Sequence, residues 1–355
     1  MATTYAIPDG RVAMAATTYT GDGAATKTIA TAVNGVSFQP DFTWVKRRSA
    51  AGSHVLQDVI RGFVGTAKLA SNATDAENNT GGATDPAEGY VSAVSSTGFT
   101  VTKGTGQQVN ENGATYVAWQ WKAGGAAVSN TAGSITSSVS ANTTAGFSVV
   151  TYTGTGANAT VGHGLGVAPS MVIVKCRGTA AREWPVYHSS LTSAAYVVFL
   201  NQTSAQASLP TIWNSTAPTS TVFSLGNSGQ SNEASTMVAY CFAPVAGYSA
   251  FGSYVGNSSS DGPFIYTGFR PRYVLLKSSS DAVNWYVYDT SRDTGNLAGN
   301  QLYPNLSNAE VSSVGIDILS NGFKVRYNAS PLNASGSTYI YACFAEVPFA
   351  YANAR

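Results

Sequence analysis

Charge is scarce in this chain. Asp, Glu, Lys and Arg make up 10% of its 355 residues, where a soluble globular protein carries about a quarter. The 19 basic and 18 acidic residues nearly cancel, and the only dense basic cluster is Lys46, Arg47 and Arg48. Nucleic acid, which is held by clustered positive charge, is therefore not an expected partner. No run of about 18 apolar residues exists, so no helical membrane span is expected. The opening MATTYAIPDGRVAMAATTYTG lacks the basic start and apolar stretch of a signal peptide. These absences predict synthesis in a cytoplasm without Sec-type export, and no membrane insertion.

Cysteine is equally sparse. Cys176, Cys241 and Cys343 are an odd number and show no CxxC spacing, which argues against zinc and thioredoxin chemistry. Each lies in an apolar, strand-like context (IVKCR, VAYCF, IYACF) and is expected to be a buried, reduced thiol. There is no HExxH, EF-hand, Walker or G-x-S-x-G motif. Long Glu/Lys/Arg/Leu stretches from which helices could be built are also few.

What fills the chain is Gly, Ser, Thr, Ala and Asn, with many Tyr and Val, a mixture suited to strands and turns. Landmarks recur three times in one order. A start, YTG at Tyr19 and Tyr152 or YVG at Tyr254, precedes a run from Pro to Lys: PDFTWVK to Lys46, PSMVIVK to Lys175 and PRYVLLK to Lys277. A second segment follows, HVLQD, WPVYH or WYVYD, and then a hexad N-x-[ST]-x-A-[EQ]. A Phe-centred strand and an aromatic closing strand (YVAWQWKA, MVAYCFA, YIYACFA) end each unit. The pattern predicts an all-β chain of three tandem antiparallel β-sandwich or jelly-roll-like repeats of roughly 100 residues. An N-terminal arm (1–18) leads into repeat 1 (19–122). A Gly/Ser/Thr/Ala-rich linker (123–146) precedes repeat 2 (147–247), and repeat 3 with a C-terminal tail covers 248–355. Each repeat has the size of a small domain and is expected to own a core.

The hexads place Asn72, Thr74, Ala76 and Glu77, then Asn201, Thr203, Ala205 and Gln206, then Asn305, Ser307, Ala309 and Glu310 at matching sites. Short polar side chains at positions one and three suit a turn braced onto nearby backbone N–H groups. Gln206 replaces two glutamates, so the shared role needs no carboxylate. Asp58 and Asp289 are each followed three residues later by Arg61 and Arg292, a spacing for a local ion pair worth at most about 1 kcal/mol if exposed. His188 and Leu191 stand there in repeat 2. His163, in VGHGLGVAP, reads as part of a tight turn. Trp213 lies in TIWNSTAPTSTVF, a loop-like segment without a counterpart, and is the expected contact for a ligand or protein partner. No catalytic residues, cofactor or metal are expected.

The segments YTGTGANATVGHGLGVAPSMVIVKCR, WNSTAPTSTVFSLG, VAYCFAPVAGYSAFGSYVGN, GPFIYTGFRPRYVLLK and DILSNGFKVR, with the ending PFAYANAR, resemble a repeated β domain of tailed-bacteriophage virion structural proteins, tail-fibre-like and common in phages of marine bacteria. The resemblance runs from about Tyr19 and is strongest from Gly146. It implies a virion component assembled in the host cytoplasm, most simply a tail-associated fibre or host-receptor-binding protein. A head decoration protein and a surface-polysaccharide depolymerase are the alternatives. The partners expected are further copies in a homotrimer, other virion proteins and a host surface glycan or receptor. Residues 1–18, the linker and AYANAR are the segments expected to anchor the chain.

Overall fold

The computed structural model describes residues 5–31, 35–179 and 181–348. The chain is all-β. In chain order the strands are β1 (Met14–Thr20), β2 (Thr26–Ala30), β3 (Phe42–Arg47), β4 (Val55–Asp58), β5 (Tyr90–Ser95), β6 (Gly98–Thr102) and β7 (Thr115–Trp121), then β8 (Val128–Asn130) and β9 (Ser137–Asn142). Next come β10 (Phe147–Thr153), β11 (Ala159–Gly162), β12 (Met171–Cys176), β13 (Pro185–His188), β14 (Tyr196–Phe199), β15 (Ala207–Ser208), β16 (Val222–Leu225) and β17 (Thr236–Phe242). The last set is β18 (Ser249–Val255), β19 (Phe264–Tyr266), β20 (Phe269–Ser278), β21 (Tyr286–Asp289), β22 (Ala298–Gln301), β23 (Val311–Leu319), β24 (Gly322–Val325) and β25 (Thr338–Pro348). Two single-turn α-helices, α1 (Pro210–Trp213) and α2 (Gly229–Asn232), and three 3-10 turns (Gly10–Val12, Gly65–Ala67 and Pro86–Glu88) complete the set of elements.

Three inner sheets share one strand order. They run β1-β7-β3-β4, β10-β17-β12-β13 within a wider eight-stranded sheet, and β18-β25-β20-β21. The registers correspond: Trp121 lies opposite Met14 and Phe42, Phe242 opposite Phe147 and Met171, and Phe344 opposite Ser249 and Tyr273. An outer sheet faces each inner one, formed by β2-β6-β5, β11-β16 and β19-β24-β23-β22.

The continuous apolar runs of β3, β12 and β20 follow from this layering, because each inner sheet is buried on both faces. Val45 faces its own outer sheet among Val55, Val91, Phe99 and Val101, whereas Phe42 and Trp44 join a second cluster that draws residues from all three repeats. At its centre the equivalent residues Trp121, Phe242 and Phe344 form a triangle with ring centroids 6.1, 5.6 and 5.6 Å apart. Phe42 of repeat 1 stacks on Tyr240 of repeat 2 at 4.3 Å. Such pairs add about 0.5–1.5 kcal/mol each beyond area burial. A cavity of about 10 Å³ at this centre, walled by aromatic and aliphatic side chains, has room for one water at most.

Three expectations are corrected. No repeat is self-contained: repeats 1 and 2 each keep an outer cluster, but the outer residues of repeat 3 and one face of every inner sheet join one common core, because that second face needs its neighbours for cover. Residues 5–18 are not a free arm. Ile7 is buried in the common core, and β1 begins at Met14 and pairs along its length with β7. Its start corresponds to Phe147 and Ser249, too different from Met14 for the match to be legible in sequence. The segment 123–146 is not a linker either, since β8 and β9 extend the middle sheet beyond β10. The tail residues 349–355 lie outside the described residues. Among those that are described, no helix is long and apolar enough to cross a membrane.

Candidate functional site

The residues that recur with a polar role converge on the joints between repeats. The joints are cyclic: repeat 1 reaches the hexad of repeat 3, repeat 2 that of repeat 1, and repeat 3 that of repeat 2. The hexad Asn first fixes its own turn, as Asn72, Asn201 and Asn305 accept the backbone N–H of His54, Trp184 and Trp285 through Oδ1 at 2.9, 3.0 and 3.0 Å. The side chains of those three residues then cross the joint. Trp184 donates its indole N–H to the carbonyls of Ala70 and Ala73 at 3.1 and 2.9 Å, and Trp285 to that of Phe199 at 2.9 Å. His54 Nε2 meets the carbonyls of Tyr303 and Leu306 at 3.1 and 3.2 Å.

His54 can replace Trp because its ring is held as one tautomer. Nδ1 accepts the indole N–H of Trp44 at 2.7 Å, so Nε2 carries the proton and donates as an indole would. Burial pushes its pKa down to about 3. Repeats 2 and 3 carry Ile173 and Leu275 where Trp44 stands, so the aromatic has moved from the fourth strand to the third.

The hexad's last residue closes each joint through its backbone. The N–H groups of Glu77, Gln206 and Glu310 donate to the carbonyls of Arg177, Ser279 and Arg48 at 2.8, 2.9 and 2.9 Å. Two of the joints add charge. Glu310 accepts from Arg48 of repeat 1 and from Arg292 of its own repeat, and Arg292 is paired with Asp289. Glu77 likewise joins Arg177 of repeat 2 to Arg61, which pairs with Asp58. The expected local Asp–Arg pairs are present and fully buried, so the small value of an exposed pair does not apply to them. Each Asp also receives a neighbouring repeat's donor, Tyr240 Oη on Asp58 and Trp119 Nε1 on Asp289, both at 2.9 Å. Burial would raise the Asp289 pKa, but Arg292 and Trp119 outweigh it and hold the pKa below the ordinary value.

The third joint is neutral at every corresponding place. His188, Leu191, Gln206 and Ser279 replace Asp, Arg, Glu and Arg. His188 Nδ1 accepts the Ser190 N–H, so Nε2 carries the proton and donates to the Tyr341 carbonyl, 3.1 Å away, where Ala342 offers no side chain to match Tyr240 or Trp119. Gln206 turns to the N–H and hydroxyl of Thr192 instead. The charged set has been lost together, as an uncompensated buried charge would cost about 3–5 kcal/mol.

Two of the three recurring strand lysines are also joint residues. Lys46 Nζ donates to the carbonyls of Arg47 and Ser307, and Lys175 Nζ to those of Thr74 and Arg182. Lys277 stays within its repeat, on Ser278 and Asp281. Burial lowers their pKa values, to about 7 for Lys46 and about 8 for the other two.

Other candidates fall away from the surface. Trp213 is 2% exposed, packed edge-on against Tyr187 inside the outer core of repeat 2, so its expected role as an accessible contact is corrected. Pro210 and a left-handed Asn214 bound a one-turn helix that folds the indole inward. Thr203 is exposed, and Ala76, Ala205 and Ala309 are partly buried in their turns. His163 braces a turn through Thr219 and Leu165. The three cysteines are free and buried, with Gln120, Cys241 and Cys343 in one register. Among the described residues no group of His, Cys, Asp and Glu is arranged to hold a metal ion. An open groove of about 370 Å³ along repeat 2 is lined by Ser129, Ser138, Thr151, Thr153 and Arg177, without a carboxylate pair.

A family profile described as a domain of unknown function (DUF7483) matches residues 12–348. No curated protein and no solved structure matches the chain.

Proposed function

The chain belongs to the DUF7483 family of unknown function, and we propose that it is a non-enzymatic structural protein of a bacteriophage particle, a tail-associated fibre or receptor-binding component. The observation that supports this reading is the use of the recurring polar residues. The hexads, the Asp–Arg pairs and two of the three strand lysines are engaged in tying three β units together, and Lys277 is spent within its own repeat, which leaves no shared set for catalysis. The resemblance read from the sequence motifs is what suggests a virion setting. Three units of matching strand order joined in a cycle also give, within one chain, an arrangement like that of appendages built from three chains. A single copy can therefore stand where a homotrimer would. Antibody labelling of intact particles tests the proposal. Label on the tail is the expected result, label on the head moves the chain to the decoration class, and particles without label overturn the virion reading. Release of sugar fragments from host polysaccharide by the purified chain would overturn the non-enzymatic part.

A further inference from the structure

The three inner sheets differ in how their first strand is covered. In repeat 2 the outer edge of β10 pairs with β9, Val149 opposite Ser140 and Thr151 opposite Ser138. The same stretch of chain covers the neighbouring edge of β11, where Ile135 bridges Val161 and its N–H donates to the Thr160 carbonyl at 3.0 Å. Ile135 and Val139 enter the core between the two sheets. One extended segment thus closes the flank of that sandwich.

Repeat 1 protects the equivalent flank differently. The outward carbonyl of Ala16 on β1 accepts from Arg272 and Ser291 of repeat 3. The rest of the edge reads Thr18, Thr20, Thr26, Lys27 and Thr28, and an edge lysine is a common guard against strand addition.

Repeat 3 has neither device. Only the six residues from Ala243 to Tyr248 join β17 to β18; Val245 bridges Ser249 at the start of β18, and among the described residues no strand pairs with the rest of its outer side or with that of β19. Gly256 exchanges backbone hydrogen bonds with Ser337 and Gly336 on the β25 side. By antiparallel alternation the N–H and C=O groups of Phe251, Ser253 and Val255 therefore point outward. These two strands, SAFGSYV and FIY, carry no charge and no proline. Val255, Phe264 and Tyr266 are 56, 47 and 62% exposed, at positions held by Thr20, Thr28 and Ala30 in repeat 1.

We propose that the open flank of repeat 3, formed by the outer edges of β18 and β19, accepts an extended strand supplied by a partner protein. The strand it fits has the chemistry of residues 130–142: uncharged, small and hydroxyl-bearing, with two aliphatic side chains spaced as Ile135 and Val139 to enter the mouth of the sandwich. Main-chain hydrogen bonds to β18 set its direction, antiparallel as β9 is to β10. The proposal is independent of the virion reading, since it stands on the pseudo-equivalence of two flanks within the chain.

A fluorescein-labelled peptide of residues 130–142 titrated with the full chain tests it. Saturable anisotropy is expected, with at least tenfold weaker binding by Ser253→Pro, which removes one outward N–H. Val255→Lys gives a second reading should the proline variant fold poorly. A peptide with serine at the positions of Ile135 and Val139 should not bind. Absence of saturable binding overturns the proposal. So does binding that both variants leave unchanged, because the peptide would then be exchanging into repeat 2. Sedimentation velocity of the free chain should show a monomer. A dimer that Val255→Lys dissociates would make a second copy the occupant and overturn the assignment to a separate partner.

Discussion

Arg48 and Glu310, separated by most of the chain, form a two-pronged ion pair at 2.7 and 3.0 Å that closes repeat 3 onto repeat 1. Burial raises the Glu310 carboxyl pKa, yet Arg48 and Arg292 bring it below its ordinary value. Arg48→Ala should lower stability by about 1.5–3 kcal/mol, the range for hydrogen bonds to a charged group. Asp289→Ala, which leaves Arg292 with Glu310 as its one carboxylate and the Trp119 indole N–H without its acceptor in a fully buried site, should cost about 3–5 kcal/mol. Urea unfolding of both variants checks the order, and equal losses would contradict it.

The neutral joint can be recharged. Gln206→Glu or Ser279→Arg alone introduces a charge without its partner and should be neutral or destabilising. Together they should recover about 0.5–3 kcal/mol of interaction in a double-mutant cycle, the range for residues in contact. A coupling of zero would mean that the hexad side chain of repeat 2 does not face Ser279 as its counterparts face Arg177 and Arg48.

Stability should fall in mild acid. Burial lowers His54 and His188 to about 3 and about 4 in the folded chain, against about 6.5 in the unfolded one. The unfolded state therefore binds more protons between those values, and stability drops as pH falls from about 6.5 towards 4. Thermal midpoints across that window should decline, and less steeply in Trp44→Leu/His54→Trp, which adopts the arrangement of repeat 3. His54→Trp alone should be less stable than the double variant, because Trp44 loses its acceptor in a crowded core.

One core implies one transition. The chain should unfold cooperatively by calorimetry, and a fragment ending at residue 247 should lack native near-UV dichroism, since it exposes Trp121, Phe242 and Phe42 to water. A fragment that melts with the full enthalpy per residue would show that repeats 1 and 2 suffice. The buried thiols of Cys176, Cys241 and Cys343 should label with a thiol reagent only as this transition proceeds.

Much of this architecture is legible in the sequence, and the gaps have physical causes. Order and spacing exposed the hexads, since polar residues that fix a turn must keep their positions. YVLLK reads as a strand buried on both faces, but periodicity cannot say that its second face is covered by another repeat. Residues 128–142 escaped because their serines and alanines provide too little contrast for an alternating pattern, although small residues are what a strand laid along an existing sheet edge can use. Trp213 misled because Pro, Asn, Ser and Thr surround it, and one short helical turn between them was enough to bury it. The cyclic joints were out of reach, because they depend on pairings between residues over a hundred positions apart.

The closure of repeat 3 onto repeat 1 also bears on how the chain acquires its shape during synthesis. Trp121 and Phe242 leave the ribosome well before Phe344, the last corner of their triangle. Multidomain chains can fold unit by unit from the N-terminus, but here the first two sheets must wait with one apolar face uncovered until β25 has been made. Such long-range closure is slow. The interval before the last strand arrives is when the nascent chain is most exposed to aggregation and most in need of a chaperone.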